Sequence, residues 1–188
     1  THDALTALPN RRAFLSVLPG DGRGTGYQAI ALVDLDNFKM VNDSLGHSVG
    51  DDILRVVAAR LQAMCQPGDY LARLGGDEFA LLLWEGRAPD QGAAVLARLE
   101  RVLEALRVPE EVNSFRVDVR ASIGCALVEA PDQRLEELLR RADTALNVAK
   151  KEGRDTARLH VPAMSERLGE RVAVVGDLSL AAGAGQLE

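Results

Sequence analysis

Two rhythms of apolar and polar positions alternate along this chain, one of strand period and one of helical period, and together they lay out its elements. Ala29 to Val33 is an unbroken apolar run of strand length, as expected for a central strand covered on both faces. Tyr70 to Leu83 (YLARLGGDEFALLL) holds two strand-like arms about Gly75-Gly76, a link that reads as a tight hairpin because glycine accepts positive φ. Phe115, Val117, Val119, Ala121 and Ile123 alternate with Arg116, Asp118, Arg120 and Ser122, which predicts one half-buried strand with a solvent face. Arg158 to Val161 predicts a last short strand.

Helical spacing fills the intervals. Leu5 to Leu18 reads as a lead-in feeding a short helix, with Pro9 in its first turn and Pro19-Gly20 as its stop. Phe38 to Leu45 carries a short helical pattern. Ser48 with Asp51 three residues on resembles a capping box that opens a helix running to about Cys65. Further helices are expected over Gln91 to Leu106 and from Leu135 through Ala149, ended at Gly153. Asp21 to Gly26 and Trp84 to Asp90 read as loops. The order helix, strand, helix, hairpin, helix, strand, helix, strand indicates an α/β fold with a mixed or largely antiparallel sheet, and no internal repeat is visible. From Pro162 the character changes to a helical stretch and a Gly/Ala-rich end. The expected division is therefore a domain over 1–161 and a connector over 162–188 leading to something absent.

Composition narrows the function classes. The 188 residues suit one domain with an appendage, and 47% hydrophobic content supplies a proper core. A net charge of −6 argues against broad electrostatic binding of nucleic acid or anionic membrane, so an anionic ligand needs a local basic cluster or a metal. Cys65 and Cys125 stand at no zinc-ligand spacing and read as buried free thiols of a reducing, cytoplasmic compartment. No run reaches the length of a membrane span and no signal peptide opens the chain. It begins at Thr1 rather than Met, which points to a segment of something longer, whose other regions are free to carry an anchor.

The candidate chemistry is acidic. Asp34 and Asp36 close the apolar run, and Asp77-Glu78 follows the paired glycines. If that strand and the hairpin are sheet neighbours, the acids converge from distant segments, and such a cluster persists only with a cation among them. Oxygen-only ligands suit Mg²⁺ held by one or two carboxylates and substrate phosphates, a combination that implies phosphoryl or nucleotidyl transfer. A solvated hairpin tip is the plain alternative for Asp77 and Glu78, and a helix cap is the reading for Asp36. An EF-hand fails because Phe38 occupies its third ligand position. Lys39 follows the acids by three residues, and Lys150 and Arg154 sit four apart around a helix end. There they face one site together or serve the helix dipole. Asn42 and Asp51 offer an amide and a carboxylate to a guanine edge, or serve as caps. His47 reads as a turn residue. No nucleophilic triad and no Walker-type loop is present.

Gly75-Gly76-Asp77-Glu78-Phe79 matches the signature of the GGDEF domains, the diguanylate cyclases. The likeness extends to DALTALPNRRAF at Asp3–Phe14, DLDNFKMVNDSLGHSVGD at Asp34–Asp51, ASIGCA at Ala121–Ala126 and ADTALNVAKKEGRD at Ala142–Asp155. The resemblance implies a central, largely antiparallel sheet of about five strands ringed by helices, akin to nucleotidyl cyclases and polymerase palms, with the signature on a β-hairpin. It implies that two GTP condense to cyclic di-GMP with release of pyrophosphate, across a homodimer. Asp34, Asp77 and the Leu35 carbonyl would hold Mg²⁺ or Mn²⁺. Asp77 would assist deprotonation of the ribose hydroxyl, Glu78 would support the site, and Gly75 and Gly76 would let the substrate approach. Asn42 and Asp51 would read guanine. Lys39, Lys150, Arg154 and the backbone at Asn37 and Phe38 would bind the outer phosphates.

Three departures stand out. Gln66-Pro67-Gly68-Asp69 occupies the place of the R-x-x-D product-inhibition motif, retaining Asp69 but replacing the arginine with Gln66, so feedback inhibition is expected to be weak. Asn147 stands where an aromatic is frequent and Asp155 where Asn is frequent, and neither is expected to touch the chemistry. The segment after Pro162 resembles the linker to a following EAL phosphodiesterase domain. That suggests a tandem parent in which this half works as a cyclase or as a silent GTP-binding regulator.

Overall fold

The apolar run at Ala29 becomes the strand on which the sheet is centred. The computed structural model describes residues 1–17, 27–84, 90–129 and 134–164. In chain order the elements are α1 (Arg11–Leu15), β1 (Ala29–Leu35), α2 (Phe38–Leu45), α3 (His47–Met64), β2 (Tyr70–Gly75), β3 (Glu78–Leu83), α4 (Gln91–Leu106), β4 (Glu110–Val112), β5 (Phe115–Val117), β6 (Ala121–Leu127), α5 (Leu135–Lys151) and β7 (Ala157–Leu159). The main sheet has the order β2-β3-β1-β6-β7, antiparallel except for the parallel β6–β7 pair. β4 and β5 form a separate two-stranded sheet. The expected mixed, largely antiparallel five-stranded sheet is thus present.

Strand alternation sends neighbouring residues to opposite faces, so the sheet feeds two cores. Ala31, Val33, Phe79, Leu81 and Ile123 pack with Ile53, Val57 and Leu61 of α3 and Leu99 and Leu103 of α4. Ile30, Ala72, Ala80, Leu82 and Ala126 face the other way, toward Phe14 of α1 and Leu138 and Ala142 of α5. α5 lies unusually close to the sheet at Gly124. A Cβ there would stand 2.1 Å from the Ala142 carbonyl oxygen and 2.2 Å from the Leu146 nitrogen.

Several expectations change in detail. The alternating stretch from Phe115 to Ile123 is two strands in two sheets rather than one half-buried strand. β6 lies between β1 and β7 with helices over both faces, so even Ser122 is fully buried. α3 starts at His47 after Gly46 without a side-chain cap, so Ser48 and Asp51 make no capping box. α1 is capped by Asn10, whose side chain accepts from the Ala13 N–H, leaving Pro9 outside the helix. The last strand is Ala157–Leu159, slightly earlier than expected. Cys65 is only partly buried, whereas Cys125 is enclosed, and both are free thiols. Pro19-Gly20, the Asp21–Gly26 loop, most of the Trp84–Asp90 loop and all of the connector beyond residue 164 fall outside the described residues.

Candidate active site

Antiparallel pairing sets Asp34 of β1 opposite Glu78 of β3 on one side and Ser122 of β6 on the other. The Leu35 N–H donates to the Asp77 carbonyl at 3.3 Å, tying the strand end to the hairpin turn. Acids distant in the chain therefore meet at one end of the sheet. The Asp34 carboxylate is largely enclosed and lies 2.8 Å from the Lys150 ammonium. Burial pushes its carboxyl above the ordinary range; Lys150 pulls the other way, and the Asp77 and Asp36 charges push it further up. Glu78 is raised too, first by burial and then by the charges of Asp34 and Asp77. A lysine thus supplies a cation to an acid cluster that otherwise repels itself.

The hairpin turn is held as firmly as the strand. The two turn residues are Gly76 and Asp77 rather than the two glycines, since Gly75 pairs with Glu78 across an irregularity after Arg73. Gly75 at φ +144 and Gly76 at φ +53 adopt backbone that side chains disfavour. No heavy atom lies within 4 Å of where a Cβ would stand on either, so both are open to an approaching ligand. Arg73 grips the turn: its Nε and one terminal nitrogen donate to the Gly76 carbonyl at 3.1 and 2.7 Å, while the other forks onto Asp3 at 2.9 and 3.1 Å. Asp3 also accepts from the Thr6 N–H and hydroxyl, so the start of the chain braces the hairpin. Arg73 was missed by sequence reasoning, although a lone charge in an apolar strand arm was its signal.

α2 and α3 build the other wall. Asn37 opens α2 in the left-handed region at φ +59 without a side-chain cap; its carbonyl accepts from the Met40 N–H at 2.9 Å, while the N–H groups ahead of Met40 have no helical acceptor. Phe38 is buried beneath that turn, and Lys39 is exposed on it. The Asn42 amide lies across Gly50, where a Cβ would stand 1.9 Å from its Oδ1, and exposed Asp51 follows. The two residues proposed to read a base thus sit together at the α2–α3 junction. Arg154 follows α5 and is half-exposed, its Nε 3.9 Å from Asp36. Asp36 does not cap α2; its oxygens accept from the Ser122 hydroxyl at 2.8 Å and the Asp155 N–H at 3.0 Å.

At the opposite end of the sheet, Gln66 is exposed and Asp69 is sealed. The Asp69 carboxylate accepts from the Gln66 N–H at 2.7 Å and the Trp84 N–H at 2.8 Å, and it pairs with Arg98.

The ligands expected from the sequence, Asp34, Asp77 and the Leu35 carbonyl, would offer oxygen atoms only, two of them carboxylates. That composition suits Mg²⁺ when phosphate oxygens complete its shell. Among the described residues, no three or more His, Cys, Asp and Glu side chains gather to hold a metal by themselves. A cavity of about 250 Å³ between α1, α5 and the sheet shares Glu78 with this site and is otherwise floored by residues such as Phe14, Leu74 and Leu139.

The family model described as "Diguanylate cyclase, GGDEF domain" matches residues 1–156. The bifunctional diguanylate cyclase/cyclic di-GMP phosphodiesterase MucR of Pseudomonas aeruginosa is 38% identical over 185 residues, covering 94% of this chain and 26% of MucR. The chain spans about a quarter of the length of the first curated relatives it matches. Among solved structures, the GGDEF domain of TpbB (YfiN) from Pseudomonas aeruginosa superposes with a TM-score of 0.80 at 34% identity, over 90% of this chain and 99% of that one. The GGDEF domain of DgcB from Caulobacter crescentus, in complex with c-di-GMP, gives 0.74 at 30% identity, over 85% and 95%.

Proposed function

The chain belongs to the GGDEF family of diguanylate cyclase domains, and we propose that it condenses two GTP into cyclic di-GMP with release of pyrophosphate. One observation carries this reading: Asp34 and the Asp77-Glu78 turn meet at one sheet end beside Lys150. No residue that the reaction calls for is replaced.

Asp34, Asp77 and the Leu35 carbonyl would hold Mg²⁺ or Mn²⁺, which when bound neutralises triphosphate charge and lowers the cost of ionising the attacking hydroxyl. Lys39, Lys150, Arg154 and the open N–H groups at Asn37 and Phe38 bind the outer phosphates. Asn42 and Asp51 read the guanine edge, accepting and donating in the pattern its ring demands. Asp77 would also assist deprotonation of the attacking ribose hydroxyl, and Glu78 would support the site by keeping negative potential at the turn. The bare backbone of Gly75 and Gly76 admits the substrate closely. Each protomer presents one GTP, so turnover requires a homodimer. The site is cytoplasmic, where GTP is found; among the described residues, no helix is long and apolar enough to cross a membrane. With Gln66 replacing an arginine and Asp69 sealed by Arg98, product inhibition at that place is weak.

A second reading is a silent GTP-binding module that regulates an EAL phosphodiesterase domain joined through residues 162–188. The bifunctional name of MucR, of which this chain spans only a quarter, favours it. Incubation with GTP and Mg²⁺ at high protein concentration separates the two. Cyclic di-GMP supports the cyclase; GTP binding without turnover, even under forced dimerisation, supports the regulator; absence of binding overturns both.

A further inference from the structure

The Gly153–Asp155 segment is the most contorted stretch near the site. Three consecutive residues take left-handed backbone: Gly153 at φ +118, Arg154 at +66 and Asp155 at +48. For the two non-glycine residues that conformation is unfavourable, and it persists only where surroundings over-determine it. The surroundings here are specific. The Arg154 N–H donates to the Ala149 carbonyl at 3.1 Å, closing the end of α5. The Asp155 N–H donates to Asp36 at 3.0 Å. Arg107 clamps Asp155 from α4's end, through Nε to the carboxylate at 2.9 Å and a terminal nitrogen to the carbonyl at 2.8 Å, and Arg120 takes the second carboxylate oxygen at 2.8 Å.

Asp36 is the hub of this arrangement. Only 2% of its side chain is exposed, against 52% for Arg154. One oxygen accepts from the buried Ser122 hydroxyl of β6, the other from the Asp155 backbone, and its own N–H donates to the Arg120 carbonyl at 2.9 Å. The carboxylate therefore bolts the end of β1 to the loop that carries Arg154. Among the described residues, the Arg154 guanidinium pairs only with Asp36, loosely at 3.9 Å, and about half of its side chain is exposed. A guanidinium directed by its backbone rather than pinned by its head suits capture of a phosphate oxygen.

We infer that Asp36 is a positioning residue for the phosphate end of the site: by holding the Asp155 N–H and the Ser122 hydroxyl, it sets where Arg154 reaches. Asp155 takes part through its backbone and through Arg107 and Arg120, although as a departure from the frequent Asn it was not expected to touch the chemistry. The inference rests on the reading of Arg154 as a ligand of the outer phosphates.

The test is a double-mutant cycle on the whole chain, reading the ratio of GTP to GMP affinity by calorimetry with Mg²⁺ present, the GTP being supplied as 3′-deoxy-GTP, which keeps the triphosphate but lacks the attacking hydroxyl. Wild type prefers GTP, and Arg154→Ala lowers that preference about tenfold, the lower end for a hydrogen bond to a charged group. Asp36→Asn keeps one acceptor and loses the other. It is expected to lower the ratio severalfold with GMP affinity unchanged, and to have no further effect in the Arg154→Ala background. If its effect persists in full there, Asp36 acts by another route and the proposal is overturned; the same holds if Asp36→Asn keeps the wild-type ratio. Should Asp36→Asn fail to fold, Ser122→Ala removes a single donor from the same carboxylate and must show the same dependence on Arg154. A wild type without preference for GTP, or an Arg154→Ala variant that retains it, overturns the phosphate reading itself. That result is distinct from a failure of the Asp36 cycle alone.

Discussion

The two ends of the sheet each bury an acid, and they treat it in opposite ways. Asp69, at the end where β2 starts and β3 finishes, is enclosed: two backbone N–H groups and the Arg98 guanidinium close on its two oxygens, and its side chain has no exposed surface. Asp34, at the other end, meets a single ammonium and lies among Asp36, Asp77 and Glu78. The first arrangement is saturated and has no capacity left for a ligand. The second is under-neutralised and open at the turn, so a cation or a bound cationic complex lowers its energy. Charge balance, rather than the mere presence of carboxylates, distinguishes a strut from a site. Cys65 shows the influence of the sealed end as well. Burial pushes its thiol up to about 11, with the Asp69 charge adding to the shift, so little thiolate forms near neutral pH.

The largest expected effect strikes the sealed end. Asp69→Ala removes the carboxylate on which Gln66, Trp84 and Arg98 close, and breaking a buried ion pair from one side costs about 3–5 kcal/mol. Chemical denaturation is the measurement, and below the melting transition GTP affinity should stay near wild type. A loss under 1 kcal/mol, or a large loss of GTP affinity in folded protein, would break the comparison by making Asp69 a ligand-facing group. At the open end the balance reverses. Asp77→Asn should leave the melting transition almost unmoved while lowering turnover at least about a hundredfold, as removal of a charge-stabilising group in an active site does. Wild-type turnover in that variant would sink the assignment of its carboxylate.

The sequence made these two ends unequally legible. Helices such as Phe38–Leu45 and Gln91–Leu106 stand where periodicity placed them, because one apolar face over several turns leaves little freedom. The hairpin and the central strand were equally plain, and their pairing in the sheet is what brings Asp34 to Glu78. What failed was the inference from polarity to exposure. Ser122 and Asp36 looked like a solvent-face residue and a helix cap, yet each satisfies the other inside the fold. The pattern from Phe115 to Ile123 could not reveal that the chain leaves the β4–β5 sheet and joins the main one between Val117 and Ala121, since side-chain period says nothing about which sheet a strand joins. The Arg98 partner of Asp69 was invisible for a similar reason. An arginine within an amphipathic helix reads as solvated until tertiary packing gives it a buried acid.

A smaller effect should appear in the pH dependence of stability. Asp34 and Glu78 have folded-state carboxyls raised above their ordinary values by burial and mutual repulsion. The stability they contribute is therefore fully present below the ordinary carboxylate range and is lost as pH rises through the raised values. Asp3 behaves oppositely. Burial acts to raise it, but the Thr6 and Arg73 hydrogen bonds outweigh burial and hold it low. Its contribution is present above the ordinary value and lost as pH falls through the lowered one. Asp34→Asn should consequently gain stability relative to wild type between pH 4 and pH 7, whereas the deficit of Asp3→Asn should hold steady over that interval and shrink only as pH falls below it. Thermal melts at the two pH values decide. A parallel response of the two variants would mean that the open end is no more frustrated than the bracing turn.

The smallest effect isolates the repulsion itself. Glu78 stands directly across the strand pair from Asp34, and like charges in that register destabilise a sheet by about 0.2–1 kcal/mol. Glu78→Gln keeps the side-chain shape and removes one of the two charges, so the free protein should become slightly more stable at neutral pH, by at most about 4 °C in melting temperature. Mg²⁺ with GTP relieves the same repulsion in the wild type, so the advantage of the variant should shrink when both are added. At pH 4 it should shrink again, because protonation has already removed part of the charge. A variant less stable than wild type at neutral pH would mean that Glu78 is held by a favourable partner, and the open end would then be as well balanced as the sealed one.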